Sequence, residues 1–186
     1  MNFIFILVYS FWLLSEIFLS RFRRSKKNDL KNADRGSLRL IWILIFIANF
    51  LGVYISKEFD LPISDNPFIQ YIGLLLVLIG VALRLKIVLS LGKYFTVDVT
   101  IKDGHQLKKD GFYKYLRHPS YSASILSFVG FGISLNNWLS LLIISVLIFT
   151  AFVYRISVEE KVLIEHFGED YLNYKRETKG LIPFTY

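Results

Sequence analysis

The sequence predicts an all-α integral membrane protein of about five transmembrane helices, folded as a single membrane domain over residues 1–186. Three observations carry this. Apolar residues make up 54% of the chain and its mean hydropathy is positive, well above what one soluble domain of this size carries. The apolar residues are gathered into five runs, each at or a little under the ~20 residues that a helix needs to cross a hydrocarbon core. The basic residues behind the net charge of +7 fall between alternate runs, as membrane topology requires, and do not form the continuous basic face expected of a nucleic-acid binder.

The first run, 2–19, lacks the basic start and small-residue cleavage pattern of a secretory signal and carries Trp12 and Glu16, so it reads as a retained anchor. The runs 38–55 and 68–91 follow. The third is apolar to Leu83 and extends to Leu91 if Arg84 and Lys86 snorkel at its end. Tyr121 to Leu135 and Trp138 to Tyr154 complete the set, separated only by Asn136 and Asn137, which suggests a tight helical hairpin. With no cysteine in the chain there is no disulfide, thiolate nucleophile or Cys-based zinc site. No metal site is expected.

Charge gives the predicted orientation. The connection after the first run carries Arg21, Arg23, Arg24, Lys26, Lys27, Lys31, Arg35 and Arg39, whereas the next has Lys57 against Glu58, Asp60 and Asp65. The third connection is basic again, the fourth is uncharged, and the C-terminal segment carries Arg155, Lys161, Lys175, Arg176 and Lys179. The positive-inside rule then puts the N-terminus outside and the C-terminus in the cytoplasm. Both long polar segments, 92–119 and 155–186, lie together on the cytoplasmic side, and a functional site is expected where they meet.

In the first of these, Lys102-Asp103-Gly104 and Asp110-Gly111 mark turns, so a structured loop is expected. Pro119 restricts His118 to extended backbone and suits the first turn of the next helix, whose free amides favour an anion. In the second, Arg155, Glu159, Leu163, Phe167, Tyr171 and Tyr174 recur at helical spacing on one face, and Gly168 bends or ends that helix. By spacing alone Arg155 and Glu159 read as an i, i+4 ion pair worth ~0.5 kcal/mol. Arg117 and His118 read equally well as cationic interfacial anchors, and His105 and His166 as surface residues.

The stretch "GHQLKKDGFYKYLRHPSY", two apolar runs, and then "RISVEEKVLIEHFGEDYLNYKRETKGLIPF" together resemble the isoprenylcysteine carboxyl methyltransferase family, especially its small five-span prokaryotic members. The resemblance covers roughly residues 92–184, with order and spacing intact. The N-terminal half shares only its membrane spans. What the resemblance implies is an S-adenosylmethionine-dependent enzyme that methylates the carboxylate of a lipophilic or lipidated acceptor. Its cofactor pocket would be formed at the cytoplasmic surface by the 92–119 loop and the C-terminal helical segment, so that 92–186 is the catalytic region.

Carried over by motif, the cofactor contacts are His105, Gln106, Leu107, Lys108, Tyr113, His118, Pro119, Ser120, Tyr121 and Glu159, with Arg155 facing the acceptor. The family usually has an apolar residue where Lys108 stands, so a backbone contact is expected there. A glycine-rich nucleotide fingerprint is absent from the sequence, the nearest approach, Gly130-x-Gly132, lying inside an apolar run. Three alternatives accompany this reading. A lipid-amine or phospholipid N-methyltransferase would need a base, for which His118 or Glu160 is the candidate. A membrane sterol reductase would use a nicotinamide dinucleotide, and a transporter or scaffold would carry charged or broken residues at mid-span beyond Glu16 and Asn49.

Overall fold

The computed structural model describes residues 3–22, 30–32, 36–92, 100–101 and 107–181. His105 and Gln106, the Lys102-Asp103-Gly104 turn, the basic residues Arg23 to Lys27, and Arg35 lie outside the described residues. Five apolar helices form at the expected places: α1 (Phe3–Phe22), α2 (Ser37–Glu58), α3 (Phe68–Leu91), α4 (Pro119–Ser134) and α5 (Trp138–Phe167), followed by a short amphipathic α6 (Glu169–Glu177). Of these, α2, α3 and α5 are long and apolar enough to cross a membrane. The apolar part of α1 is shorter, Phe3–Leu19.

The structure is mostly helical, with one departure from the all-α expectation. β1 (Leu30–Asn32) and β2 (Thr100–Ile101) pair antiparallel, so part of the 92–119 loop is stitched to the connection after α1. Arg84 also departs from its expected role. It does not snorkel to a surface but forms an ion pair with Glu16 of α1, its Nε 2.7 Å from Oε1, and donates from Nη2 to Oε2 at 3.1 Å. Two charges inside apolar runs thus neutralise each other, the outcome that a low-dielectric surrounding favours. Lys86 lies 6.0 Å from the Phe112 ring centre.

The bundle is arranged around α4, a helix of 16 residues and so about 24 Å long. Its length would be marginal for a lone span, but its neighbours cover it. α3 packs along α4, and α2 along α5, while α1 makes its main helix contact with α3. The α3–α4 contact is close because both helices present small residues. A Cβ on Gly73 would lie 2.3 Å from the Ser134 amide nitrogen, one on Gly80 2.2 Å from Ser127 Oγ, and one on Gly130 2.7 Å from the Gly73 carbonyl oxygen. Gly73→Val or Gly130→Val is therefore expected to destabilise the fold by about 2 kcal/mol, since backbone on the facing helix cannot yield as a side chain can. A lowered melting temperature in detergent, set against an unchanged one for the exposed Leu75→Val, is the measurement.

The α4–α5 hairpin is as tight as its two asparagines suggested. Asn136 takes the left-handed conformation (φ 49°), which asparagine tolerates better than most residues. Its Oδ1 accepts from the amides of Ile63 and Ser64, each at 3.1 Å, tying the hairpin to the α2–α3 loop. Asn137 caps α5 by accepting from the Ser140 amide at 3.0 Å. At the other end Gly168 (φ 55°) ends α5 and starts α6, as its position in the sequence foretold.

Candidate functional site at the Arg155 end of the bundle

The two polar segments meet. Leu116 and Lys179 form a parallel bridge, the Arg117 amide donates to the Lys179 carbonyl at 2.8 Å, and the His118 amide to the Gly180 carbonyl at 3.2 Å. The Tyr174 hydroxyl closes the junction by donating to the Tyr113 carbonyl at 2.6 Å. The segment 107–118 is thereby clamped between the start of α4 and the end of α6, and Pro119 occupies the first turn of α4.

Within this junction the glutamate pair of α5 divides its work. Glu160 is the hub of an ion network: Arg117 Nε donates to Oε1 at 2.8 Å, Lys175 Nζ to Oε2 at 2.5 Å, and His118 Nε2 lies 3.3 Å from Oε1. Arg117 also donates to the carbonyls of Lys175 (3.1 Å) and Thr178. The network joins α4, α5 and α6, so neither Arg117 nor Glu160 is a surface residue. Glu159 is less engaged, its side chain 30% exposed. It accepts from the Tyr121 hydroxyl at 2.8 Å and lies 3.7 Å from His118 Nδ1. The His118 ring stacks on Tyr121, centroids 5.7 Å apart and planes 12° from parallel.

Burial raises the pKa of the Tyr113 phenol, and the negative charge of Glu159 adds to the shift. The Tyr171 phenol is likewise pushed up by burial, then by Glu160 and Glu159, and that of Tyr174 is pushed up to about 12, chiefly by burial. All three stay protonated donors at neutral pH. The hydroxyl of Tyr171 is buried without a hydrogen-bond partner among the described residues.

Arg155 sits one turn below Glu159 on α5 and is only 2% exposed. It donates to Ser37 Oγ, which lies at the start of α2 and is itself fully buried. Arg155 and Tyr121 line one end of a cavity of about 1020 Å³ that runs along the bundle between α1, α2, α4 and α5. Glu16 and Arg84 line it too, and Arg84 Nη1 donates to the Ser120 carbonyl at 3.1 Å, as does Ser124 Oγ. Tyr121 is therefore the junction residue, on the cavity wall and in hydrogen-bond contact with Glu159.

The structure brings together Tyr113, His118, Pro119, Ser120, Tyr121, Arg155 and Glu159 of the residues singled out from the sequence. Leu107 and Lys108 are partly buried in the adjoining loop, and Lys108 pairs with Asp110 at 2.8 Å, holding that carboxyl below its usual pKa. Sequence reasoning missed Arg84, Glu16, Ser37 and Tyr171. For the first two a signal existed, a charge inside an apolar run. For Tyr171 the signal was its place on the helical stripe with Arg155 and Glu159, and for Ser37 there was none beyond residue type.

Fold and site define a class: a membrane-helix bundle with a polar residue cluster at one end and a lipid-sized cavity beside it. Comparison with known proteins narrows this. The phospholipid methyltransferase family model matches residues 68–170. A probable protein-S-isoprenylcysteine O-methyltransferase from Oryza sativa subsp. indica is 34% identical over 119 residues, 63% of this chain and 62% of the relative. Protein-S-isoprenylcysteine O-methyltransferase B of Arabidopsis thaliana is 31% identical over 134 residues, 70% of this chain and 68% of the relative. Among solved structures, a eukaryotic intramembrane Ras methyltransferase, isoprenylcysteine carboxyl methyltransferase, matches with a TM-score of 0.60 at 27% identity, over 80% of this chain and 51% of that one. The chain belongs to the isoprenylcysteine carboxyl methyltransferase family and is an integral membrane protein. It spans 62% of the length of the rice relative.

Proposed function

We propose that this chain is an S-adenosylmethionine-dependent methyltransferase that esterifies the carboxylate of a lipophilic or lipidated acceptor. On this reading it crosses the membrane five times, N-terminus outside, with the Arg155 end of the bundle at the cytoplasmic surface. The observation that supports it best is the position of Tyr121, shared between a polar pocket and an apolar cavity. A reaction joining a water-soluble donor to a membrane-borne acceptor needs such a boundary.

The residues fit the donor. Glu159 has lone pairs left over after accepting from Tyr121, suited to an ammonium or to ribose hydroxyls, and the orphaned Tyr171 hydroxyl is a further donor at the same junction. His105, Gln106, Leu107, Lys108, Tyr113, His118, Pro119 and Ser120 complete the proposed pocket. When bound, the donor supplies a methyl group whose bond to sulfur breaks as a carboxylate oxygen bonds to carbon, the electron pair going to sulfur.

The protein's part is alignment and desolvation. Arg155 and Arg84 present two guanidinium groups to the polar end of the cavity, where they hold an acceptor carboxylate, while the apolar walls exclude water. Glu16 and Glu159 balance their charge. An ionised carboxylate needs no general base. An amine acceptor would need one, and of the two candidates Glu160 is engaged by Arg117 and Lys175 while His118 is buried against Glu159, Glu160 and Tyr121, which favours O-methylation.

Calorimetric titration of detergent-purified protein with S-adenosylhomocysteine tests the donor site. Saturable binding is expected, weakened about tenfold or more by Glu159→Ala and measurably by Tyr121→Phe. Binding of a nicotinamide dinucleotide in its place would move the protein to the reductases.

A further inference from the structure

The cavity runs the length of the bundle, and both of its ends carry cations. On α2 the lining residues form one face from Leu38 to Lys57, a rise of about 28 Å against a hydrocarbon core of about 30 Å. Lys57 is reached from Asn49 and Val53 by steps of four, so the basic residue of the last turn stands on the cavity face. From α3 only Gln70 and Arg84 line the cavity, one near each end and about 21 Å apart along the helix. The volume of about 1020 Å³ is at the top of the range for one drug-sized ligand, which leaves room for a second chain.

Most polar groups on the wall are committed. Glu16 is held by Arg84, Ser56 Oγ donates to the Val53 carbonyl at 2.9 Å, and the Tyr9 hydroxyl and Ser134 Oγ are 2.6 Å apart. Asn49 Oδ1 is sealed within the protein and meets no ligand. At the α2–α3 end two groups are uncommitted. Neither the exposed Lys57 ammonium nor the half-buried Gln70 side-chain amide has a hydrogen-bond or ion-pair partner among the described residues, although Glu58, Asp60 and Asp65 occupy the same connection. Both groups are donors, and the ammonium is nothing else. The connection itself is fixed: Asn137 Nδ2 donates to the Phe59 carbonyl at 2.6 Å and Asn136 Nδ2 to the Ser64 carbonyl at 2.9 Å. The mouth is thus shaped before any ligand arrives.

A cation closing an apolar cavity at the membrane's edge suits an amphiphile with its anion on the lysine and its chain inside. The one carboxylate on the wall, Glu16, lies at the Arg84 end, so the ammonium of a zwitterionic headgroup finds no partner on the wall beside Lys57. We propose that this end of the cavity is a second lipid site: Lys57 and Gln70 take the phosphate of an anionic phospholipid from the leaflet opposite the Arg155 end, and one of its acyl chains enters the cavity. The site stands apart from Arg155 and does not require methyl transfer. It makes the room left for any other chain in the cavity depend on the lipid composition of that leaflet.

The sequence has no cysteine. Phe68→Cys, at an exposed position two residues before Gln70, therefore carries an environment-sensitive fluorophore that reports on this mouth alone. The full chain in uncharged detergent is titrated with myristoyl lysophosphatidylglycerol, with the phosphate-free monomyristoylglycerol, and with glycerol phosphate. The expected result is saturable binding of the lysophospholipid, about fivefold tighter than the monoacylglycerol, and no response to glycerol phosphate. That preference should vanish in Lys57→Met, whose retained binding of the monoacylglycerol reports an intact cavity. It should persist in Lys57→Arg and in Lys161→Met, which removes the same charge from an exposed position at the other end of the bundle. Equal affinities for the two lipids, a preference that survives Lys57→Met, or no response to either overturns the inference. So does a response to glycerol phosphate alone, which would make the mouth a site for free phosphate.

Discussion

Arg155→Ala is expected to reduce methyl transfer by roughly 10²- to 10³-fold, the loss that follows removal of one preorganised donor from a water-excluded site. The side chain is buried, fixed by Ser37 and aimed at the end of the cavity, so its contribution is orientation as much as charge. Arg155→Lys should recover little, because an ammonium cannot reproduce the planar fork that a carboxylate accepts. The affinity for S-adenosylhomocysteine should change far less than the rate, since the proposed donor pocket is built on Glu159 and Tyr121. Initial rates with a prenylcysteine analogue, measured beside that affinity, separate the two. A variant that kept the wild-type rate would remove Arg155 from the mechanism.

The second large effect is expected at Glu160. Replacing it with alanine leaves the largely buried Arg117 guanidinium without its counter-charge, a loss of about 3 kcal/mol. Lys175 adds little to that figure because its side chain is 42% exposed and solvent screens it. The damage should be local before it is global. Hydrogen exchange is expected to rise first in α6 and in residues 113–118, which the network joins, and to leave the α3–α4 contact protected. Glu160→Gln, which keeps the shape and one acceptor, should lose less. If both variants exchanged like the wild type, the network would be an incidental cluster and the clamp on residues 107–118 would have to come from the backbone bridge alone.

How much of this could be read in advance depended on whether a property is local to one stretch of chain. The five apolar helices were legible because hydropathy and length act segment by segment, and Pro119, Gly168 and the Asn136-Asn137 pair mark their ends by backbone chemistry alone. The meeting of the two polar segments was legible from charge alternation. Pairings between segments were not. Spacing offered Arg155 and Glu159 as partners because they share a helix face, yet Ser37 receives Arg155 from one helix and Tyr121 serves Glu159 from another. Arg84 read as a residue reaching for the surface because nothing near it in sequence could neutralise it. Its partner, Glu16, stands on a different helix, and only folding brings the two together. The donor-site residues were named through family resemblance; periodicity put Glu159 on the Arg155 face but offered it no partner beyond Arg155 itself.

Helix α5 runs without interruption for 30 residues, Trp138–Phe167, a length of about 45 Å against a hydrocarbon core of about 30 Å. It is at once a membrane wall and the support of the proposed catalytic residues Arg155 and Glu159, with no joint between the two roles. Whatever tilts that helix therefore moves Arg155 and Glu159 with it, and helices tilt when the lipid around them thins or thickens. On the proposed function, the height of the chemistry above the lipid is set by the membrane as well as by the protein, which makes bilayer thickness a variable of the reaction itself.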